Sequence, residues 1–464
     1  MSLPARRRAR FVRAGLMLLV STLGLAGLPL GAQQPADLFR HVSFREIGST
    51  HRGGRFVDIA AVEATPRIWY IANATGGVWK TENNGVSFRQ VFDSPTVASI
   101  GAVALSQSDP KIVYVGTGEA NNSRSAYWGD GIYKSVNAGE TWTNVGLKES
   151  HHIGRIIVHP TDPNTVYAAA LGKLYSENEE RGVYKTVDGG KTWAKSLAIQ
   201  IEGKHIGVVD LAMDPKNPAV LYAAAYDKVR RPWTFAEGGP GSGIYKTADA
   251  GKSWTKLGGG LPVGLLGRIG LSVARNAPTT IYAVIENVGV LDEARRKRYA
   301  EGFGAEGGSP SQLYRSDDAG KTWRQVTPAP APPAAAPAAG AGAGRGGRGG
   351  GPDLGNPGYY YAQVRVDPND KETVYVLSVG WSRTRDGGAT WQAGGDLSGY
   401  RSGVDWVTFA PATLIAVGPT GSDITFDGGR SWQPFDTAAY DAVDCVPLTC
   451  WASGPAGAVA TLAR

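Results

Sequence analysis

Thr186-Val187-Asp188-Gly189-Gly190-Lys191-Thr192-Trp193 is the stretch on which the reading turns. A hydroxyl residue opens it, Asp follows two residues on, Gly takes the fifth place, a second hydroxyl the seventh, and a large aromatic closes it. Six further segments repeat the pattern: Thr81 to Phe88, Ser135 to Trp142, Thr247 to Trp254, Ser316 to Trp323, Thr384 to Trp391 and Thr425 to Trp432. Recurrence of this kind marks a repeat architecture. Asp or Asn accepts hydrogen bonds from the backbone N–H groups of its own turn, and Gly supplies a positive φ. The aromatic has the area to bury between neighbouring sheets.

The flanks of each segment supply strands. Around the quoted stretch, His152 to Val158, Thr165 to Ala170, Gly182 to Thr186 and Thr192 to Lys195 read as four consecutive strands. Asp162-Pro163 separates the first two, as Asp109-Pro110, Asp214-Pro215 and Asp367-Pro368 do elsewhere, and Pro belongs at strand ends. The expected fold is therefore all-β, a single β-propeller of four-stranded blades. Eight blades are counted, seven with the repeated turn. The eighth would join Val42 to Ile47 with Ala439 to Cys445, Cys450 to Ser453 and Ala458 to Leu462, which protects both open edges. A seven-bladed ring with a C-terminal hairpin is the alternative.

The repeated turn resembles the Asp-box, or BNR, repeat, and the resemblance covers about residues 42 to 435. It is nearest to sortilin-like and "glycosyl hydrolase"-labelled bacterial repeat proteins of the YVTN/BNR-like kind. Propellers of this kind include xyloglucanase-type glycoside hydrolases, sialidases, sortilin-type receptors and photosystem assembly factors, so the resemblance implies a propeller and leaves the activity open.

Outside the repeats, Arg6, Arg7, Arg8, Arg10 and Arg13 precede an apolar run from Ala14 to Leu30, followed by Gly31-Ala32. Residues 1–32 read as a secretory signal peptide, with a retained anchor as the alternative, and the remainder, 33–464, as the propeller. Five of the 48 basic residues and none of the 41 acidic ones lie in that leader, leaving about +2 on the rest. That balance argues against nucleic-acid binding. A periplasmic or secreted location is expected, with no membrane span after cleavage. In such a compartment Cys445 and Cys450 are expected to form a local disulfide. The Pro/Ala/Gly-rich stretch 328–351 is expected to be a disordered loop.

The box turns and Asp-Pro turns fall on one face, and the long connections between second and third strands fall on the other. Ligand-binding candidates on that second face are Glu119, Asn122, Arg124, Trp128 and Asp130 in the second blade and Trp233 in the fourth. The approaches to the first strands add His152, Arg155, His205 and Arg268 around the channel mouth, where they form a candidate anion site or a solvated rim. Aromatic, carboxylate and Arg side chains together suit a protein, peptide or carbohydrate ligand. No metal or cofactor is expected, and a monomer is.

Catalysis is less well supported. By resemblance to xyloglucanases a catalytic Asp would precede the Gly76-Gly77 pair by two residues, and that position is Ala74. Arg67-Ile68-Trp69 departs from the sialidase Arg-Ile-Pro motif. Nor is there a Walker loop or a His-Glu-x-x-His sequence. Glu119 and Asp130 remain as a candidate acid–base pair. A binding module recognising peptide, protein or glycan is the expected function, and a glycan-active hydrolase using loop carboxylates is the alternative.

Overall fold

Among the described residues, seven four-stranded antiparallel sheets follow one another along the chain, with a three-stranded sheet after them. The computed structural model describes residues 56–464 apart from 86, 95, 124–125, 234, 301–310, 328–353, 355–357, 378–380, 394–397, 399–402, 408–412, 419, 428–430, 441, 447–448, 454–458 and 462–464. The leader at 1–32, the strand at Val42 to Ile47, Arg124 and the whole of 328–351 lie outside the described residues. The chain is all-β and folds as a β-propeller, and each four-stranded sheet is one blade.

The first strands of the blades are Phe56–Ala61, Ile100–Leu105, Ile153–Val158, Gly207–Met213, Leu266–Val273, Gln363–Val366 and Gly403–Trp406. Those of blades 1 to 6 pack on one another in order. Second strands of blades 2 to 5 are buried on both sides; Val166–Ala170 is buried at every position. Their apolar side chains therefore need no alternation. The cores lie between blades: Val103 and Val115 of the second blade cluster with Tyr70 and Val78 of the first, and Val208 and Leu211 of the fourth with Tyr167 and Val183 of the third.

Each repeated turn closes by one network. Thr186 Oγ1 accepts the N–H of Gly190 at 2.9 Å, and Asp188 Oδ1 accepts the N–H of Thr192 at 3.0 Å. The same pairs recur at Ser135/Gly139 with Asn137/Thr141 and at Ser316/Gly320 with Asp318/Thr322. The opening hydroxyl thus has a turn-closing role beyond that expected for it. Gly190 has φ +95°, and a Cβ there would lie 2.9 Å from Val145 of the preceding blade. Trp193 sits at that seam and donates its indole N–H to the Val145 carbonyl at 2.8 Å, as Trp142 does to Val91 at 2.7 Å.

In the third blade the first three strands begin or end within a residue of expectation, while the fourth runs Ala194–Leu197, because Trp193 turns into the seam instead of the ladder. The C-terminal sheet comprises Ala442–Val446, Thr449–Ser453 and Val459–Thr461, with Cys445 directly opposite Cys450. Elements that periodicity did not announce lie in the long connections. Among the described residues they are the hairpins Gln200–Ile201/Lys204–His205 and Val229–Arg230/Phe235–Ala236, two short 3-10 turns, Lys148–Ser150 and Val288–Val290, and the α-helix Glu293–Ala300.

Candidate functional site

The connections between second and third strands of blades 2 to 5 rise on one face, and the structure divides their side chains into an exposed rim and a buried floor. The rim is aromatic. Trp128 is 65% and Trp233 79% exposed, with Tyr127 and Tyr175 also exposed. Backbone acceptors fix the loops that carry them: Ser99 Oγ donates to the Tyr127 carbonyl at 2.9 Å, and Arg231 Nη1 of blade 4 donates to the Tyr175 carbonyl of blade 3 at 2.6 Å.

Beneath lies a floor of charged groups that face one another instead of solvent. Glu119 is buried; its Oε1 accepts from Asn121 Nδ2 at 3.0 Å and from the Tyr360 hydroxyl at 3.3 Å. Arg268, on the first strand of blade 5, reaches across to the blade 2 loop. Its Nη1 donates to Asn121 Oδ1 at 2.8 Å, to the Ala120 carbonyl at 3.3 Å and to the Tyr359 carbonyl at 3.2 Å. The Asn122 N–H meets the same Tyr359 carbonyl at 3.3 Å, so blades 2, 5 and 6 are joined over the axis. With neutral acceptors around it, the guanidinium pays for its burial with a lowered pKa.

Sequence reasoning missed part of this floor. Tyr226, at the end of a second strand, and Glu237, in the blade 4 loop, are buried beside Glu286. Burial first, then the two carboxylates, hold the Tyr226 phenol well above 10. Glu286 fits because Gly267 and Gly358 leave it room: Cβ atoms on them would lie 2.3 Å from Oε2 and 2.5 Å from Cδ respectively. Gly267 and Gly358 lie far from Glu286 along the chain, and only the fold brings them to it.

The other expected residues occupy defined places. Asp130 closes its own loop, accepting from the Tyr133 hydroxyl at 2.8 Å and the Thr117 hydroxyl at 3.5 Å. His152 is buried, its Nδ1 2.8 Å from the Glu119 carbonyl. Burial, and then the Lys228 charge, push its pKa down to about 3, so it is neutral near pH 7. Arg155 is held between Asp58, 2.8 Å away, and Asp210, 2.9 Å away. These two carboxylates raise its pKa against the opposing effect of burial. His205 stays in its small hairpin beside Gln200 at 2.9 Å. Of the channel-mouth side chains, His152 and Arg268 meet acceptors of the blade 2 loop, Arg155 meets carboxylates of blades 1 and 4, and His205 meets Gln200 of its own hairpin. What remains of the channel is a cavity of about 20 Å³ lined by Gly101, Gly154, Arg155, Asp210 and Arg268 among others, with room for a water. Among the described residues no cluster of His, Cys, Asp or Glu is arranged to hold a metal ion.

Comparison with known proteins places the chain among Asp-box propellers. The Sortilin-Vps10 family model (sortilin, neurotensin receptor 3) matches residues 130–261. A xyloglucanase of Paenibacillus sp is 22% identical over 408 residues, 78% of this chain and 34% of the relative. A probable oligoxyloglucan-reducing end-specific xyloglucanase of Neosartorya fischeri is 23% identical over 439 residues, 88% of this chain and 48% of the relative. The chain therefore spans about a third to a half of these curated relatives. Among solved structures, the GH74 enzyme of Niastella koreensis superposes with a TM-score of 0.50 at 16% identity, covering 88% of this chain and 65% of that one.

Proposed function

We propose that this Asp-box propeller is a ligand-binding module that takes a glycan on its long-loop face. The observation that carries the reading is the exposed aromatic rim, Tyr127, Trp128, Tyr175 and Trp233, on the corresponding connections of three consecutive blades. Exposed aromatic faces beside polar side chains stack on sugar rings, and an isolated Trp gains nothing from water. The floor beneath holds the loops rigid, which lowers the ordering cost of binding. Xyloglucanases among the relatives favour a glycan over a peptide or protein. A monomer, exported to the periplasm or beyond, fits this role; among the described residues no helix is long and apolar enough to cross a membrane. Cys445 and Cys450, opposed in register, would then be oxidised to a disulfide.

A second reading rests on the buried acids: Glu119, Glu237 and Glu286 lie under the rim, and glycoside hydrolysis needs two carboxyl groups. One experiment addresses both. Purified full chain is titrated with xyloglucan, cellulose, xylan and cell-wall oligosaccharides, following binding by calorimetry and new reducing ends by colorimetry. Binding without turnover, weakened at least tenfold in the pair Trp128→Ala and Trp233→Ala, is expected. Turnover that disappears in Glu119→Gln or Glu237→Gln establishes the hydrolase instead, and no binding to any glycan overturns the proposal.

A further inference from the structure

The blade 5 connection on the long-loop face is basic, where those of blades 2 to 4 carry the exposed aromatics. It leaves the second strand Ile281–Asn287, makes the 3-10 turn Val288–Val290 and continues into the helix Glu293–Ala300. Val288 and Leu291 bury together at its base, so the helix rises from an anchored turn. Its sequence, Glu293-Ala294-Arg295-Arg296-Lys297-Arg298-Tyr299-Ala300, holds four consecutive cations. The helix packs against Phe235–Ala236, the returning strand of the blade 4 hairpin whose tip presents Trp233. Folding thus sets a basic helix beside the most exposed aromatic of the rim.

Arg296 and Lys297 are exposed, and among the described residues neither side chain is held by an ion pair or a hydrogen bond. Outside residues 1–32 the chain carries only about +2, so four cations in a row are a local excess. Asp292 and Glu293 stand at the helix N-terminus, where the helix dipole favours them. The other acids of this face, Glu177, Glu179 and Glu180, belong to the blade 3 connection, and Glu177 leans on Arg181 at 3.6 Å. The face is therefore graded in charge, acidic at blade 3 and basic at blade 5, with Trp233 of blade 4 between.

A sugar chain stacked on Trp233 passes beside the helix, and a carboxylate on it gains charged hydrogen bonds that a neutral chain lacks. A lipid surface is a poor fit, because the helix has no apolar face to insert. A nucleic acid is also a poor fit, because its backbone needs cations along its whole path and here they are gathered at one end.

We infer that the helix Glu293–Ala300, through Arg296 and Lys297, selects an acidic polysaccharide whose uronate carboxylates lie beside the sugar stacked on Trp233. This rests on the glycan reading proposed above and narrows it to chains that carry acid groups.

The test compares polygalacturonate with its methyl ester, which keeps the rings and loses the charge, and with xyloglucan, by calorimetry on the full chain. Polygalacturonate is expected to bind about tenfold or more tightly than its ester at low salt, an advantage that shrinks as salt is raised. The double change Arg296→Glu and Lys297→Glu should abolish that advantage and leave binding of the ester within about twofold, whereas Arg296→Lys should keep most of it. Trp233→Ala should weaken acid and ester alike. Equal affinity for acid and ester, or a preference that survives the charge reversal, overturns the inference and leaves the glycan reading standing. Failure to bind any of the three glycans overturns both. Tighter binding to single-stranded DNA or to phosphatidylglycerol vesicles than to polygalacturonate also overturns the inference. If the charge-reversed protein does not fold, the comparison of acid with ester on the wild type decides.

Discussion

Hydrogen bonds tune the box carboxylates, and this gives the protein an acid limit. The Thr322 hydroxyl and then its N–H hold Asp318 down to about 2 from an ordinary 3.8, and Thr390 does the same for Asp386. Asp188 and Asp249 are lowered further by their own closing hydroxyls. A carboxylate depressed in the folded state contributes stability that is complete above its unfolded value and lost as pH falls through the folded one. The urea midpoint should therefore hold from pH 6 to about pH 4 as far as the boxes are concerned, then fall steeply toward pH 2. The double change Asp318→Asn and Asp386→Asn should flatten that fall, and an unaltered slope would remove the boxes from the account. Lys228 gives the same direction of pH dependence in a higher window. A base whose folded pKa is lowered from 10.5 to about 7 makes the unfolded chain the better proton binder between those values, so stability rises with pH across that window. Lys228→Met should be less sensitive to pH from 7 to 10 in denaturant titrations.

Blades are joined by a repeated side-chain link at the scale of the strand pair. A Tyr on the second strand of one blade donates to a turn of the next: Tyr70 to the Ala138 carbonyl, Tyr114 to Pro163, Tyr167 to Ala250 and Tyr222 to Ala319, all at 3.0 to 3.1 Å. The Lys before the box hydroxyl lies over the same ring, Lys185 at 5.2 Å from Tyr167 and Lys134 at 5.3 Å from Tyr114. Its ammonium reaches the same class of turn, Lys185 Nζ meeting Ala250 at 2.8 Å. This Tyr and Lys pair recurs in the first four blades, and Arg takes the place of Lys in the next two. Its meaning was not legible in the sequence, because its partner is always in the following repeat. Tyr167→Phe should lower the unfolding free energy by about 1 kcal/mol in urea titrations, with an unchanged m-value. Gly190→Ala combines a positive φ with an approach to Val145 and should cost about 1–3 kcal/mol by the same measurement.

Around the axis, the whole molecule is held by charges that no single repeat contains. Arg155 of blade 3 bridges Asp58 of blade 1 and Asp210 of blade 4. Those acids in turn accept backbone N–H groups of the blades that follow them, Asp58 from Val103 at 3.2 Å and Asp210 from Leu271 at 3.0 Å. Arg155→Ala would leave two largely buried carboxylates without their cation and should cost about 3–5 kcal/mol in chemical denaturation. A loss below about 1 kcal/mol would show that the axial network is solvated.

The all-β class, the box turns and the blade register were written in the sequence because they depend on residues close along the chain: a hydroxyl, an acid and a glycine within one turn, and alternating or continuous apolar runs beside them. The separation of the two faces followed from the same order. Tertiary structure decided what the loops do. Glu119, His152, Arg155 and Arg268 were all legible as candidates, yet their chemistry is set largely by partners 33 to 241 residues away, so groups that looked available for a ligand are engaged internally. The converse holds for Lys228. In the sequence it is an ordinary basic residue beside Asp227, and only folding turns that acid toward Lys204 and buries most of the Lys228 side chain, because the energy of a charge is fixed by its distance to others in space.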